Sequence, residues 1–399
     1  MHRIDSATAE ADKFGAGKNG YTEGTPGVLS PTETTADHIN AFQEELIAPI
    51  EALGTTLVKA TNTQLLTAIK RMLGTLCLSN WTERANPKNF QLWGVAYGNG
   101  VFCAVGGADG ADAYIVTSEN LSTWTEQANP KNVILYAVAS NGTNLFVAVG
   151  NTDGADAYIV TSTTGAAPWT EQATPKNFTL NGVAYNGSNL WAAVGNNDGV
   201  DSFIVTSPNG AAPWTERAPT VAKTVSLRAV AFGGAVWVAV GDASGGGAED
   251  AYILTSPDGT TWTERANPQN GRGLTAVAYD GVSRWVAVGE NVGQAYVVYS
   301  DDSGATWTQT TTGVPAATLY AVTYTNSGMW VAVGNRLSAT NSPVVLTSPN
   351  GITWTRRYGP SIVDLCAIAT NTVGRVVAVG EADGTDACIN QSLNLPFSI

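Results

Sequence analysis

The chain has 399 residues, of which 13% are charged and 44% hydrophobic, with 43 glycines and a formal net charge of −13. Acidic residues outnumber basic ones both in the first 75 residues and in the rest, which argues against nucleic acid or anionic lipid held by a basic patch. No run of about 18 apolar residues exists to span a membrane, and Met1 leads into polar residues, so no signal peptide is expected.

Residues 1–75 read as a unit of their own. A Gly-, Thr- and Pro-rich stretch through Pro31 has too few apolar residues to build a core. Asp37 then caps a predicted helix in which Ile39, Phe42, Leu46, Ile50 and Leu53 fall three or four apart, with Pro49 expected to kink it. A second helix is predicted from Thr63 to about Leu73, with Leu65, Leu66, Ile69 and Met72 on its apolar side. Short amphipathic helices on an extended arm need a partner, which points to attachment or oligomerisation.

Several motifs here occur in one order: Met1-His-Arg-Ile-Asp5, Asp12-Lys-Phe-Gly-Ala-Gly-Lys-Asn-Gly-Tyr21, Phe42-Gln-Glu-Glu-Leu46 with Ile50-Glu-Ala-Leu-Gly54, and Gln64-Leu-Leu66. Together they resemble the N-terminal region of tailed-phage tail fibre proteins. The resemblance implies a virion protein assembled in the host cytoplasm. Its N-terminal region joins phage tail or baseplate proteins, commonly as a trimer, and its distal part binds the host surface. The departure is distal, where many fibres carry intertwined β-structure or a chaperone domain.

From residue 76 the chain repeats one unit. A Val-Gly step recurs at Gly106, Gly150, Gly195, Gly241, Gly289, Gly334 and Gly380, a period of about 45 residues that suits propeller blades. Each copy holds four short runs rich in Val, Tyr, Trp and Thr between Gly, Asn, Asp and Pro clusters. The runs are too short and too β-branched for paired helices. The expected fold is therefore mainly β: a seven-bladed β-propeller of four-stranded blades over 76–399, preceded by an extended arm with two short helices. Trp124, Trp169, Trp214, Trp262, Trp307 and Trp354 hold one position of the repeat and are expected to pack between blades. The seventh copy lacks its Trp-Thr-Glu strand, whereas an orphan copy, Asn80-Trp-Thr-Glu-Arg84, precedes the first. The N-terminal strand is expected to complete the last blade and remove an exposed edge.

Ser300-Asp-Asp-Ser-Gly-Ala-Thr-Trp307 resembles the Asp-box hairpin of sialidase-type propellers, and Ser256 to Trp262 and Ser348 to Trp354 are shorter versions. In such a turn Asp or Asn bonds its own backbone and Gly accepts positive φ. The resemblance implies fold, and a binding site on the opposite face. Sialidase chemistry, which that family runs with three arginines, a tyrosine–glutamate pair and an aspartate, is not expected. Both histidines, His2 and His38, precede the propeller, and Arg84, Arg217 and Arg265 follow the repeating Trp-Thr-Glu strand. Glycoside hydrolysis needs only two carboxylates at a suitable spacing, so a glycan hydrolase stays open beside the expectation that the protein is not an enzyme.

Ligand candidates lie on the face shared by the loops that leave the outer strand and the loops between second and third strands. The first set contributes Lys88, Lys131 and Lys176 among Asn and Pro. The second is the acidic series Asp109-Gly-Ala-Asp112, Asp153-Gly-Ala-Asp156, Asp198-Gly-Val-Asp201 and Asp383-Gly-Thr-Asp386. Aligned on Leu-x-Ala-Val-Ala, position x of the innermost strand varies: Trp93, Tyr136, Asn181, Arg228, Thr275, Tyr320 and Cys366. Trp93, Tyr136, Asn181, Arg228 and Tyr320 are the leading binding candidates, since aromatic rings beside amide and guanidinium groups suit a carbohydrate; filling of a tapering channel is the alternative. The Asp-Gly-x-Asp loops offer oxygens to calcium, but turn capping explains them more simply, and no metal or cofactor is expected. Cys77, Cys103, Cys366 and Cys388 form no metal pattern; buried free thiols are expected over a disulfide. The combined expectation is a phage tail fibre whose propeller binds a bacterial surface glycan or protein, without nucleic acid or membrane insertion. A structural tail-tip spacer is the other alternative.

Overall fold

The computed structural model describes residues 64–78, 81–243, 251–268, 271–290, 295–314, 317–336, 343–357, 363–382, 384 and 387–392. The chain divides into two compact units, Met1–Leu73 and Gly74–Ile399. The helix expected after Asp37, with its kink at Pro49, lies outside the described residues. The second expected helix is α1, Gln64–Cys77. It runs past the predicted end through Gly74, because one glycine costs a helix only about 1 kcal/mol. Ile69 and Met72 are exposed on it. Among the described residues no helix is long and apolar enough to cross a membrane.

Seven antiparallel four-stranded sheets follow one another as blades. In blade one, β1 having been set aside before it as Trp81–Glu83, the strands run β2 (Leu92–Gly98), β3 (Val101–Ala108), β4 (Ala113–Ser118) and β5 (Thr125–Glu126), from inside to outside. The same order recurs in blades two to six. Blade seven is made of Leu365–Thr370, Val376–Ala382 and Ala387–Ser392, and its fourth strand is β1 from the other end of the propeller. Trp81 pairs with Ser392, Thr82 with Gln391 and Glu83 with Asn390. This closure covers the outer edge of Ala387–Ser392 that would otherwise be open to another chain.

The third strand of blades one to four and six is buried along its whole length. A sheet packed between two neighbours is apolar on both faces, so these strands read as continuous apolar runs rather than alternating ones. Seven hydrophobic clusters result, one at each blade interface. Each contains the repeat's tryptophan: Trp124 between blades seven and one, Trp262 between three and four, and so around the ring. At the interface of blades six and seven the tryptophan is Trp81, partly buried against the cluster, so the clasp supplies a packing contact as well as a strand. Trp262 is fully buried, and such burial stabilises by about 2–3 kcal/mol per large side chain.

The turns before these tryptophans behave as their sequence requires. In the hairpin from Ser300 to Trp307, Asp302 accepts from the Thr306 amide at 2.9 Å and its hydroxyl at 2.6 Å, the Gly304 amide donates to Ser300 Oγ, and Trp307 Nε1 donates to the Gly304 carbonyl. Gly304 has φ of 78°. Cys103 and Cys366 are free thiols. Cys103 packs at the interface of blades one and two and Cys388 at that of six and seven, which keeps these two thiols in separate layers.

Candidate functional site

One local device, repeated seven times, builds the mouth of the channel. Each inner strand shifts register after its leucine: Leu180 faces Gly195, but the next paired residue is Gly182, facing Val194. The residue skipped is Asn181. The same shift skips Trp93, Tyr136, Arg228, Thr275, Tyr320 and Cys366. All seven variable positions are therefore β-bulge residues, unpaired in the ladder and re-aimed by the local kink.

The Val-Gly step makes the bulge possible. A Cβ on Gly195 would lie 1.9 Å from the Thr179 carbonyl oxygen, and a Cβ on any of the other six glycines would lie 1.9 to 2.2 Å from the corresponding oxygen. The same carbonyl accepts the amide of the next residue: Asn196 donates to Thr179 O at 2.9 Å, Asp242 to Ser226 O at 3.0 Å and Glu290 to Gly273 O at 3.3 Å. Glycine is needed here for close backbone approach, and in four blades the residue after it, Asn151, Asn196, Asp242 or Glu290, reaches the channel.

These residues enclose a cavity of about 640 Å³, within the range of small-ligand sites. Its lining includes all seven bulge residues, the post-glycine residues Asn151, Asn196, Asp242 and Glu290, and Thr179, Gly273 and Thr318 from the positions before the leucine. Trp93 and Tyr136 meet edge to face, with centroids 6.3 Å apart. Arg228 grips Asp242 through two bonds, Nε to Oδ1 at 2.7 Å and Nη2 to Oδ2 at 2.8 Å, and this pairing raises the guanidinium further above its usual range. Asn181 Nδ2 donates to Asn196 Oδ1 and to the Leu227 carbonyl, and Thr275 Oγ1 donates to the Leu319 carbonyl. Two bulge residues thus tie their own blade to the next. Burial, aided by Asp364, pushes the Tyr320 phenol up to about 12, and burial beside Glu381 does the same to the Cys366 thiol. Both stay protonated at neutral pH.

The structure brings together Trp93, Tyr136, Asn181, Arg228 and Tyr320 but places the three lysine candidates elsewhere. Lys88 bonds Asp109 Oδ2 and Glu126 Oε1, each at 2.5 Å, and Lys176 does the same with Asp198 and Glu216. Lys131 bridges Asp153 and Glu171. None of the three lines the cavity. Each lysine enters its blade from the preceding linker and pins the loop between second and third strands to the outer strand. Its ammonium lies where a cation would sit among Asp109, Asp112 and Glu126 or the equivalent trios. The acidic loops are occupied by turn capping too: Asp109 Oδ1 accepts the Ala111 and Asp112 amides. The loop at 383–386 lies largely outside the described residues. Arg272 takes the position held by Phe90, Val133, Phe178 and Val225 in other blades and is not among the lining residues.

The post-glycine residues were not singled out from the sequence. The signal was present: the residue after Val-Gly varies among Gly, Asn, Asp and Glu (Gly107, Asn151, Asn196, Asp242, Glu290, Asn335, Glu381) while the flanking apolar pattern repeats. Recognising it required knowing that the glycine sits at a close approach.

No protein-family model matches the chain. It is 50% identical over 74 residues to an uncharacterised protein, StfP, of Escherichia coli K12; the match covers 18% of this chain and 35% of that protein, so the chain spans about a third of its relative's length. Solved structures with the same fold include YCF48 from Cyanidioschyzon merolae (16% identity, TM-score 0.57, covering 78% of this chain and 98% of that one). Virginiamycin B lyase from Staphylococcus aureus is another (14%, 0.61, 79% and 99%). A third is the GH74 xyloglucanase from Xanthomonas campestris (13%, 0.57, 76% and 52%). At these identities the likeness concerns the fold: a propeller of seven four-stranded blades.

Proposed function

We propose that the protein is a tail-fibre-type adhesin: its N-terminal region attaches to phage tail or baseplate proteins, and the mouth of its propeller binds a glycan on the bacterial surface. The observation that carries the binding half is the convergence of seven bulge side chains, different in nearly every blade, on one cavity of a ring that otherwise repeats. Packing alone gives no reason for that diversity, because the bulge residue has no ladder partner. The attachment half is supported by the tail-fibre resemblance of about the first 72 residues and by the 74-residue match to StfP. Several copies on one particle multiply weak contacts into avidity. Of the two carboxylates in the lining, Asp242 is locked by Arg228, which favours binding over a two-carboxylate hydrolysis.

The test is binding of the full-length protein to whole bacterial cells and to extracted surface glycans, with sugar release followed in the same assay. Saturable binding without release, lost when Trp93, Tyr136, Arg228 and Tyr320 are replaced together by alanine in a protein that melts as before, is the expected result. Unchanged binding by that variant would sink the mouth as the site. Release of sugar favours a hydrolase, and absence of both favours a structural spacer.

A further inference from the structure

The mouth is not uniform around the ring, and its asymmetry identifies a ligand chemistry. Blades six, seven, one and two are consecutive, since β1 closes blade seven beside blade one. They contribute Tyr320, Cys366, Trp93 and Tyr136, an arc of three aromatic side chains and one protonated thiol. Blades three, four and five contribute Asn181, Arg228 and Thr275 on the opposite arc, backed by Asp242 and Glu290. A ligand filling the cavity meets aromatic side chains on one side and polar groups on the other.

The charges on the polar arc are unequal in availability. Arg228, the cation of the lining, is held in a two-pronged bond by Asp242. Glu290 is exposed in the same cavity and makes no side-chain hydrogen bond or ion pair among the described residues. Behind the lining, on blades six and seven, Asp364 and Asn335 are over nine-tenths buried, and each keeps one side-chain oxygen without a donor although they bond each other through Asn335 Nδ2 and Asp364 Oδ2. Burial first, then the neighbouring Asp364, raises the Glu381 carboxyl, which accepts from Gln91 Nε2 at 3.3 Å. Unmet demand at the mouth itself is therefore for a cation, at Glu290. Aromatic faces add to this demand, because their quadrupole attracts ammonium groups.

We propose that the mouth takes a sugar bearing a free amine, with the pyranose ring against Trp93 and Tyr136 and the ammonium directed to Glu290, and that it discriminates against acidic sugars. The inference rests on the receptor-binding reading above and names its ligand class. A sugar is favoured over a basic side chain because the aromatic arc is broad and sits beside several amides, which suits a flat ring with many hydroxyls.

Calorimetric titration of the full-length protein with short glucosamine oligomers, their fully N-acetylated counterparts, galacturonic acid oligomers and pentalysine tests it. The amine-bearing sugar should bind tighter than the acetylated one by about tenfold or more, the uronic acid should bind weakest, and Glu290→Gln should abolish the preference for the amine while Trp93→Ala weakens both neutral and amine forms. Equal or tighter binding of the acetylated or acidic sugar, no binding of any sugar, or an E290Q protein that keeps the amine preference overturns the proposal. Tighter binding of pentalysine than of the amino sugar overturns its assignment to a glycan. The two readings fail differently. Mouth-dependent binding to cells that glucosamine oligomers do not compete defeats the ligand class alone. Cell binding unaffected by the fourfold mouth variant defeats the receptor-binding reading itself.

Discussion

Arg228, a bulge residue on the inner strand of blade four, and Asp242, the residue after the glycine on the next strand, are joined by two parallel hydrogen bonds at 2.7 and 2.8 Å. The pair sets the charge of the mouth. Asp242→Asn keeps the shape and releases the guanidinium. Binding of acidic oligosaccharides should rise several-fold, the gain shrinking with added salt, as titration at two ionic strengths would reveal. Both side chains are about two-fifths exposed, so the melting temperature should reflect a loss of no more than about 1 kcal/mol.

The interblade tryptophans and the mouth aromatics should separate cleanly in stability. Trp262 is completely buried between blades three and four, with Nε1 donating to the Gly259 carbonyl. Trp262→Ala should cost about 3–5 kcal/mol in denaturant unfolding. Trp93→Ala, at a half-buried mouth position, should cost about 1 kcal/mol or less while affecting binding.

Gly195→Ala places a methyl group 1.9 Å from a backbone carbonyl oxygen. Because the obstacle is backbone, relief requires moving the inner strand. The expected cost is about 1–3 kcal/mol, together with weakened ligand binding through displaced Asn181 and Asn196. Retention of full stability in thermal melts would contradict the close-approach account of the Val-Gly repeat.

The clasp is testable at its last bonds. The Arg84 amide donates to the Ile389 carbonyl at 2.8 Å, and its Nε to Gln391 Oε1 at 3.1 Å. Arg84→Pro removes the amide donor and should destabilise by about 1–3 kcal/mol, with faster aggregation on heating as the outer edge of the last blade opens. Arg84→Ala, which keeps the backbone bond, should lose about 1 kcal/mol or less. Light scattering during a thermal ramp distinguishes the two.

The lysine staples predict a pH dependence. Asp109 and Asp198 are held at about 2, against an ordinary 3.8, by the lysine bond first and then by turn amides. For Asp153, burial acts upwards, but Lys131 and two amides outweigh it and bring the group to about 2 as well. Folded values below the unfolded one mean stability that is complete above the unfolded value and lost as pH falls towards the folded one. Melting temperature should be flat near neutrality and decline between about pH 4 and pH 2. Replacing Lys88, Lys131 and Lys176 by methionine should flatten that decline. Calcium or EDTA should leave the melting temperature of the parent protein unmoved, because the lysine ammoniums already sit among these carboxylates.

The ring was legible in the sequence because its cause is periodic. Each blade must bury two faces against identical neighbours, so the Val-rich strands, the turn glycines and the tryptophans recur, and the orphan Trp81 strand could be matched to the gap after Ser392. The variable residues Trp93, Tyr136, Asn181, Arg228 and Tyr320 were legible for the converse reason, as departures from the period. What the sequence could not supply was direction. Only the folded ladder makes those positions bulges, so that they leave the pairing pattern and turn into one cavity, and only the close approach at Gly195 and its equivalents brings Asp242 and Glu290 to join them. The lysines looked like mouth residues because their loops share the mouth's face. Their ammoniums are instead drawn to two carboxylates of the same blade: the Lys, Asp and Glu recur at nearly constant separations of 21 to 22 and 38 to 40 residues, but only the folded distances between Lys88, Asp109 and Glu126 show that the three meet.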